Sequence, residues 1–203
     1  DGLSDAVTYN SGQSIGIGAN ALDSEDGGEF RKNTAVGYDA LTAVTTGQYN
    51  VALGYQAGKT IATANYNTAV GVWALQNLNP STVDSANTAV GYFSQSSATT
   101  GILNTSVGQK SAYSLTTGSY NVAVGVEALE KNTTASYNTA CGYRALEETT
   151  DGQSNTSVGY EALTNNTGGD ENSAFGVQAL MSNTTASNNS AFGQDALRST
   201  TTG

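Results

Sequence analysis

The sequence contains no histidine, and only one cysteine, one proline, one methionine and one tryptophan among 203 residues. Without histidine the commonest general base at neutral pH and the commonest metal ligand are both missing. A single cysteine, Cys141, forms no internal disulfide, which leaves the redox compartment open. Charge is sparse as well: charged residues are 12% of the chain, about half the globular average of ~25%. Lys plus Arg number 7 against a net charge of −10, a balance that repels phosphate backbones and anionic lipid, so nucleic acid is a poor partner. No apolar run approaches the ~20 residues that span a bilayer, and no membrane insertion is expected. No signal peptide opens the chain, but the first residue is Asp1, so that absence says nothing about secretion. Leu, Ile, Val and Phe total 35 of 203 residues, below the roughly 20% at which a chain struggles to bury a core.

What is present is a repeat. The nine-residue motif Asn-Thr-Ala-Val-Gly-Tyr-x-Ala-Leu is complete at residues 33–41 and nearly so at 155–163. Its glycine recurs at Gly18, Gly37, Gly54, Gly71, Gly91, Gly108, Gly125, Gly142, Gly159, Gly176 and Gly193, with gaps of 19, 17, 17, 20 and then six of 17. So constant a period makes each repeat one structural unit stacked on the next, and a regular stack buries a narrow core that average composition hides. Seventeen residues is too short for a helix pair. It suits one solenoid coil of two short strands joined by turns, with β-branched and aromatic residues in the motif and Thr-Thr-Gly clusters between.

The expected fold is therefore all-β: a parallel β-solenoid of about eleven 17-residue coils filling one domain, residues 1–203. Residues 1–13 read as an irregular lead-in and 14–203 as repeats, with loop insertions at about 19–32 and 76–86 absorbing the long gaps. The second insertion carries Pro80, better tolerated in an outward loop than in a ladder. Along a strand, side chains alternate faces. The column Val36, Leu53, Val70, Val90, Val107, Val124, Cys141, Val158, Phe175 and Phe192 reads as the core, and Ala40-Leu41 and its equivalents as a second apolar column on a second strand. The Ala or Ser column between them, Ala35, Ala69, Ser106, Ala123 and Ala140 among its members, reads as a close-packing surface for partner chains, so that Ala69→Leu or Ala123→Leu would impair assembly. The motif glycine suits a positive φ or a close neighbouring backbone. Asn33, Asn67, Asn155 and their equivalents are expected to stack into an amide ladder.

These residues resemble the head repeats of trimeric autotransporter adhesins, and equally the related repeats in the long tail fibres of tailed bacteriophages. The likeness covers nearly the whole chain, from about Ser14 to Gly203. It implies a left-handed parallel β-roll with three chains packed around one axis. The longer coil and the Tyr after the Gly favour the phage version. The resemblance thus implies a structural shaft segment of a homotrimeric tail fibre on the virion, holding a tip that meets a host cell-surface receptor or glycan. The alternative is a segment of a bacterial surface adhesin or extracellular filament. Independently, a coil this thin has little core per residue on its own, which favours association with further copies. The closing Thr201-Thr202-Gly203 repeats the approach to a motif Asn, so the solenoid is expected to continue.

Candidate chemistry is thin. No nucleophile elbow, phosphate loop or zinc spacing occurs, paired carboxylates on neighbouring coils are lacking, and neither catalytic residues nor a cofactor are expected. Cys141 reads as a small buried hydrophobe in the Val column. Asp23, Glu25 and Asp26, and more weakly Asp170-Glu171, are the calcium candidates, because clustered carboxylates suit a hard cation; they lack an ordered ligand spacing and read more naturally as solvated loops. Columns of tyrosine stand after the Gly (Tyr38, Tyr55, Tyr92, Tyr143, Tyr160) and before the Asn (Tyr49, Tyr66, Tyr120, Tyr137). Coil-on-coil packing explains them more simply than sugar binding does. The Thr column, Thr34, Thr68, Thr88, Thr105, Thr139 and Thr156, reads as interior, against an ice-binding array. Sequons such as Asn132-Thr133-Thr134 reflect turn composition.

Overall fold

The computed structural model describes residues 6–9, 13–26, 31–80 and 84–201. Its strands are β1 (Ala6–Tyr9), β2 (Ser14–Ile17), β3 (Thr34–Val36), β4 (Val51–Leu53), β5 (Thr68–Val70), β6 (Thr88–Val90), β7 (Thr105–Val107), β8 (Val122–Val124), β9 (Thr139–Cys141), β10 (Thr156–Val158), β11 (Ser173–Phe175) and β12 (Ser190–Phe192). They form one sheet in sequence order. From β2 to β12 every pairing is parallel and in register, for example Thr34 with Val51 and Ala35 with Ala52. The chain is a parallel β-solenoid of about 17 residues per coil, as the period requires.

Each coil has one strand, not two. The segment expected to be the second strand is a run of tight turns, in which the second and fourth residues after the glycine are left-handed: Asp39 at φ 54° and Leu41 at φ 49° in one coil, Glu161 and Leu163 at 52° and 49° in another. Backbone bonding explains the choice. Leu41 N–H reaches the next coil at Ala57 O (3.0 Å) and Ala43 N–H reaches Lys59 O (3.1 Å), whereas Ala40 N–H closes a turn on Gly37 O (3.3 Å) and Val44 N–H on Leu41 O (3.2 Å). Alternate amides thus bond the neighbouring coil and their own turn, which satisfies the backbone in a curve that a flat strand does not make. A left-handed leucine costs about 1 kcal/mol, and complete burial of its side chain offsets this.

The Ala-Leu column after the Gly is interior as expected, but the strand's inner and outer faces are the reverse of those expected. The Ala/Ser column is buried, with Ala35, Ala69, Ala123 and Ala140 at 0% exposure, while the column of Val36, Val70, Val124 and Val158 points outward, with Leu53 at 48% and Phe192 at 69%. The coil is thin, and Leu41, Leu75, Leu129 and Leu146 cross it from the turn side to fill it. Only a methyl or a hydroxymethyl fits on the strand facing them, because interiors pack to constant density. Ala69→Leu therefore overpacks the chain's own core and is no probe of a chain–chain contact.

The motif asparagines form the expected ladder, buried from Asn33 to Asn172 and half-buried at Asn189. Asn50 receives both a backbone and a side-chain bond at its own carbonyl, from Asn67 N–H (2.9 Å) and Asn67 Nδ2 (3.0 Å), and gives its Nδ2 to Asn33 Oδ1 (3.2 Å) and to Ala64 O (2.8 Å). The same pattern ties Asn155 to Asn138 and Asn172 to Asn155.

At the N-terminal end, the lead-in expected to be irregular contains β1, paired antiparallel with β2, Ala6 opposite Ile17. The long gaps leave the register intact, Ile15 lying beside Thr34 and Thr68 beside Thr88. Stacking persists further than expected: Asp26 N–H still bonds Thr45 O, and Asn79 N–H bonds Thr99 O. Pro80 is buried and outside any strand. Within the expected insertions, 19–32 and 76–86, residues 27–30 and 81–83 lie outside the described residues.

Candidate functional site

Strand alternation places the Thr-type and Val-type side chains of every coil on the open sheet face, and two further columns flank them outside the strand: the left-handed residue before the motif Asn and the residue after the Gly. In one coil these are Tyr49, Val51, Leu53 and Tyr55, all exposed; in another, Tyr120, Val122, Val124 and Val126. Among the described residues the only charges in these columns are Lys32 and Glu171. The described ion pairs of the stacked coils lie on the turn side or the adjoining corner, as Lys59–Asp39 (2.9 Å), Lys110–Glu130 (3.1 Å) and Arg144–Glu127 (2.7 Å). The coil is amphipathic, with an apolar strand face and a polar turn face.

Three expectations change with this geometry. The Thr column is not interior: Thr105 is exposed and Thr34, Thr68, Thr88, Thr139 and Thr156 are half-buried on the outer face. It still makes no open hydroxyl array, since Val51 and Val122 interrupt it and the Val-type column and the tyrosines flank it. Cys141 is exposed, not a core filler. The tyrosines stack ring on ring, Tyr38–Tyr55 at 5.4 Å, Tyr49–Tyr66 at 5.3 Å, Tyr120–Tyr137 at 5.1 Å and Tyr143–Tyr160 at 5.3 Å, within 16° of parallel. Neighbouring rings cover much of the faces a sugar would need. Lys32 lies 5.2 Å over Tyr49, and Arg144 lies 5.1 Å over Tyr143.

Three of the calcium candidates, Glu25, Asp26 and Asp170, are turned to protein donors. Glu25 is buried and accepts from Ser14 Oγ (3.0 Å) and Asn33 Nδ2 (2.8 Å), so it starts the asparagine ladder. Asp26 pairs with Arg31 at 2.8 Å, and Asp23 is exposed. Asp170 accepts Gln153 N–H (2.7 Å), and Glu171 is exposed on the sheet face. A carboxylate group that sequence reading missed is Glu127, Glu130 and Glu147, whose oxygens lie within 4.8 Å of one another. They are 17 or 20 residues apart along the chain or three, and only the coil stacking brings all three together. Arg144 and Lys110 already serve them. The bond to Glu127 raises the Arg144 pKa, and Asn20 and then Lys59 hold Asp39 below its usual range.

Glu147 is the exception, since burial pushes its pKa up. A raised folded-state pKa gives stability that is complete below the unfolded value and is lost as pH rises through the folded one. Glu147→Gln is therefore expected to raise the unfolding midpoint near pH 7 and to leave it unchanged below about pH 4, where the carboxyl is protonated anyway. Thermal melts at the two pH values check this.

Fold and surface together define a β-solenoid repeat protein with one apolar face. No protein-family model, no curated protein and no solved structure matches the chain. No helix among the described residues is long and apolar enough to cross a membrane.

Proposed function

We propose that the chain is a structural shaft segment of a homotrimeric phage tail fibre, in which three copies meet along the strand face. The observation that carries this reading is the apolar strand face, eleven strands long, on which Lys32 and Glu171 are the only charges among the described residues. At ~4.8 Å per strand it runs roughly 50 Å along the axis. Depletion of charge at the centre is what stable interfaces share. The trimeric count and the fibre come from the resemblance of the repeat. The 17-residue coil and the Tyr after the Gly favour the fibre over a bacterial adhesin. The work of such a segment is mechanical, and no catalysis is proposed for it.

Sedimentation equilibrium is expected to give three copies, and Leu53→Lys with Val124→Glu to give monomers with an unchanged far-ultraviolet circular dichroism spectrum. Parallel in-register copies also place Cys141 beside Cys141, so mild oxidation should yield a covalent dimer that Cys141→Ala abolishes. A monodisperse wild-type monomer would falsify the assembly. Antibodies to the solenoid that decorate cell surfaces and not virions would move the chain to the adhesin class.

A further inference from the structure

The buried core is not continuous. One apolar cluster runs from Ala21 to Ala98 and a second from Ala112 to Ala191. Between them the motif fails inside the coil, where Ser94 and Ser111 stand in the Ala column after the Gly. Gln95 and Ala112 replace successive leucines, and Ser106 replaces the strand alanine. All five are buried. The gap is filled by hydrogen bonds: Gln95 Nε2 donates to Asn87 Oδ1 (3.2 Å), Ser106 Oγ donates to Gln95 Oε1 (3.1 Å), and the hydroxyls of Ser94 and Ser111 lie 3.1 Å apart. At Gly58, another position lacking the leucine, the space is taken by Ile61 and Leu41 instead, and the first cluster continues through it.

We infer that the solenoid has a built-in joint between the coils of Gly91 and Gly108, and that it opens and bends as two cooperative units. In a stack whose stability is a sum of coil terms and nearest-neighbour contacts, the boundary falls at the weakest contact. Here the backbone ladder is unbroken, Thr88 N–H bonding Asn104 O at 2.8 Å, but the two apolar clusters do not join across it. The surface carries a matching device. Trp73 stacks on Phe93 at 4.5 Å, Tyr92 packs edge-on to Phe93 at 4.5 Å, and Phe93 meets Tyr113 edge-on at 5.6 Å across the boundary. At the other described coils the Trp73 and Phe93 column carries charged or amide side chains. The aromatic group is a clasp on the outside of the joint, limiting how far the two halves separate.

The inference concerns the interior of one chain and does not depend on assembly. Native-state hydrogen exchange of the full chain at graded urea tests it. Amides of residues 34–90 and 123–192 are expected to fall into two groups, their exchange rates differing about tenfold at intermediate urea. Gln95→Leu with Ser106→Ala and Ser111→Ala restores the motif and is expected to merge the groups and raise the urea midpoint. A single exchange group across the wild-type chain overturns the joint, and that result needs no variant to fold. Two groups that persist unchanged in the restored variant overturn the assignment of the boundary to this polar layer.

Discussion

Gly142→Ala is expected to prevent the coils on either side of it from stacking, costing 4 kcal/mol or more on an order-of-magnitude scale and leaving little folded chain at 37 °C. Gly142 sits at φ +144°, a conformation that only glycine adopts cheaply; strain there amounts to about 1–3 kcal/mol. The larger part is steric. An added Cβ would lie 2.7 Å from the carbonyl carbon of Gly159 and closer still to its oxygen, and both belong to the backbone of the next coil. Neither moves without lengthening the ladder bonds around it, such as Gly159 N–H to Cys141 O at 2.8 Å. Gly58→Ala separates the two effects, because φ is +59° there and an added Cβ meets only side-chain carbons of Ile61 and Leu41, at 3.0 Å, and no backbone. Equilibrium denaturation of both variants should show the second losing only the strain. Equal losses would show that coil interlock contributes nothing.

The second large effect is expected at Asn121. Its Nδ2 donates to Asn104 Oδ1 (3.1 Å) and Ala135 O (2.9 Å), and its Oδ1 accepts Asn138 N–H (3.0 Å), all in the buried interior. Asn121→Ala strands a backbone donor in one coil and weakens an acceptor's bonding in another, so it should cost about 2–4 kcal/mol, more than a single exposed hydrogen bond. Asn121→Asp probes the sign. An ionised carboxylate would face the oxygens of Asn104 and Ala135, which raises its folded pKa. Its stability should then be greatest in acid and fall as pH rises through that value. Urea midpoints across pH test this, and a flat profile would contradict the ladder geometry.

Period, strand position, the asparagine ladder and the glycine column were legible in the sequence because each is a repeated local requirement. Which face of the strand is interior was not. Hydrophobicity alone sends Val36 inward and Ala35 outward, and the true order follows from volume, since leucines from the turn side already occupy the coil. That Leu41 belongs to a turn was hidden too, because glycine is the residue that advertises positive φ and leucine does not. Legibility of the surface followed the same rule. The tyrosine columns were readable from the period, whereas the carboxylate group of Glu127, Glu130 and Glu147 and the aromatic group around Trp73 depend on which side of the coil each residue occupies.

The in-register stacking described above fixes how much sequence one step along the axis consumes. Seventeen residues advance the axis by ~4.8 Å, about 0.3 Å per residue, whereas a helix advances ~1.5 Å. Eleven coils reach roughly 50 Å; the same residues in a single helix would reach more than five times as far. Reach per residue is thus not what distinguishes this architecture from a helix. What the coil supplies per step is breadth: four outward side chains in a row, repeated at the spacing of hydrogen-bonded strands. In the proposed assembly a neighbour lying alongside would meet a dense, evenly pitched surface, and resistance to bending and shear would come from that lateral density.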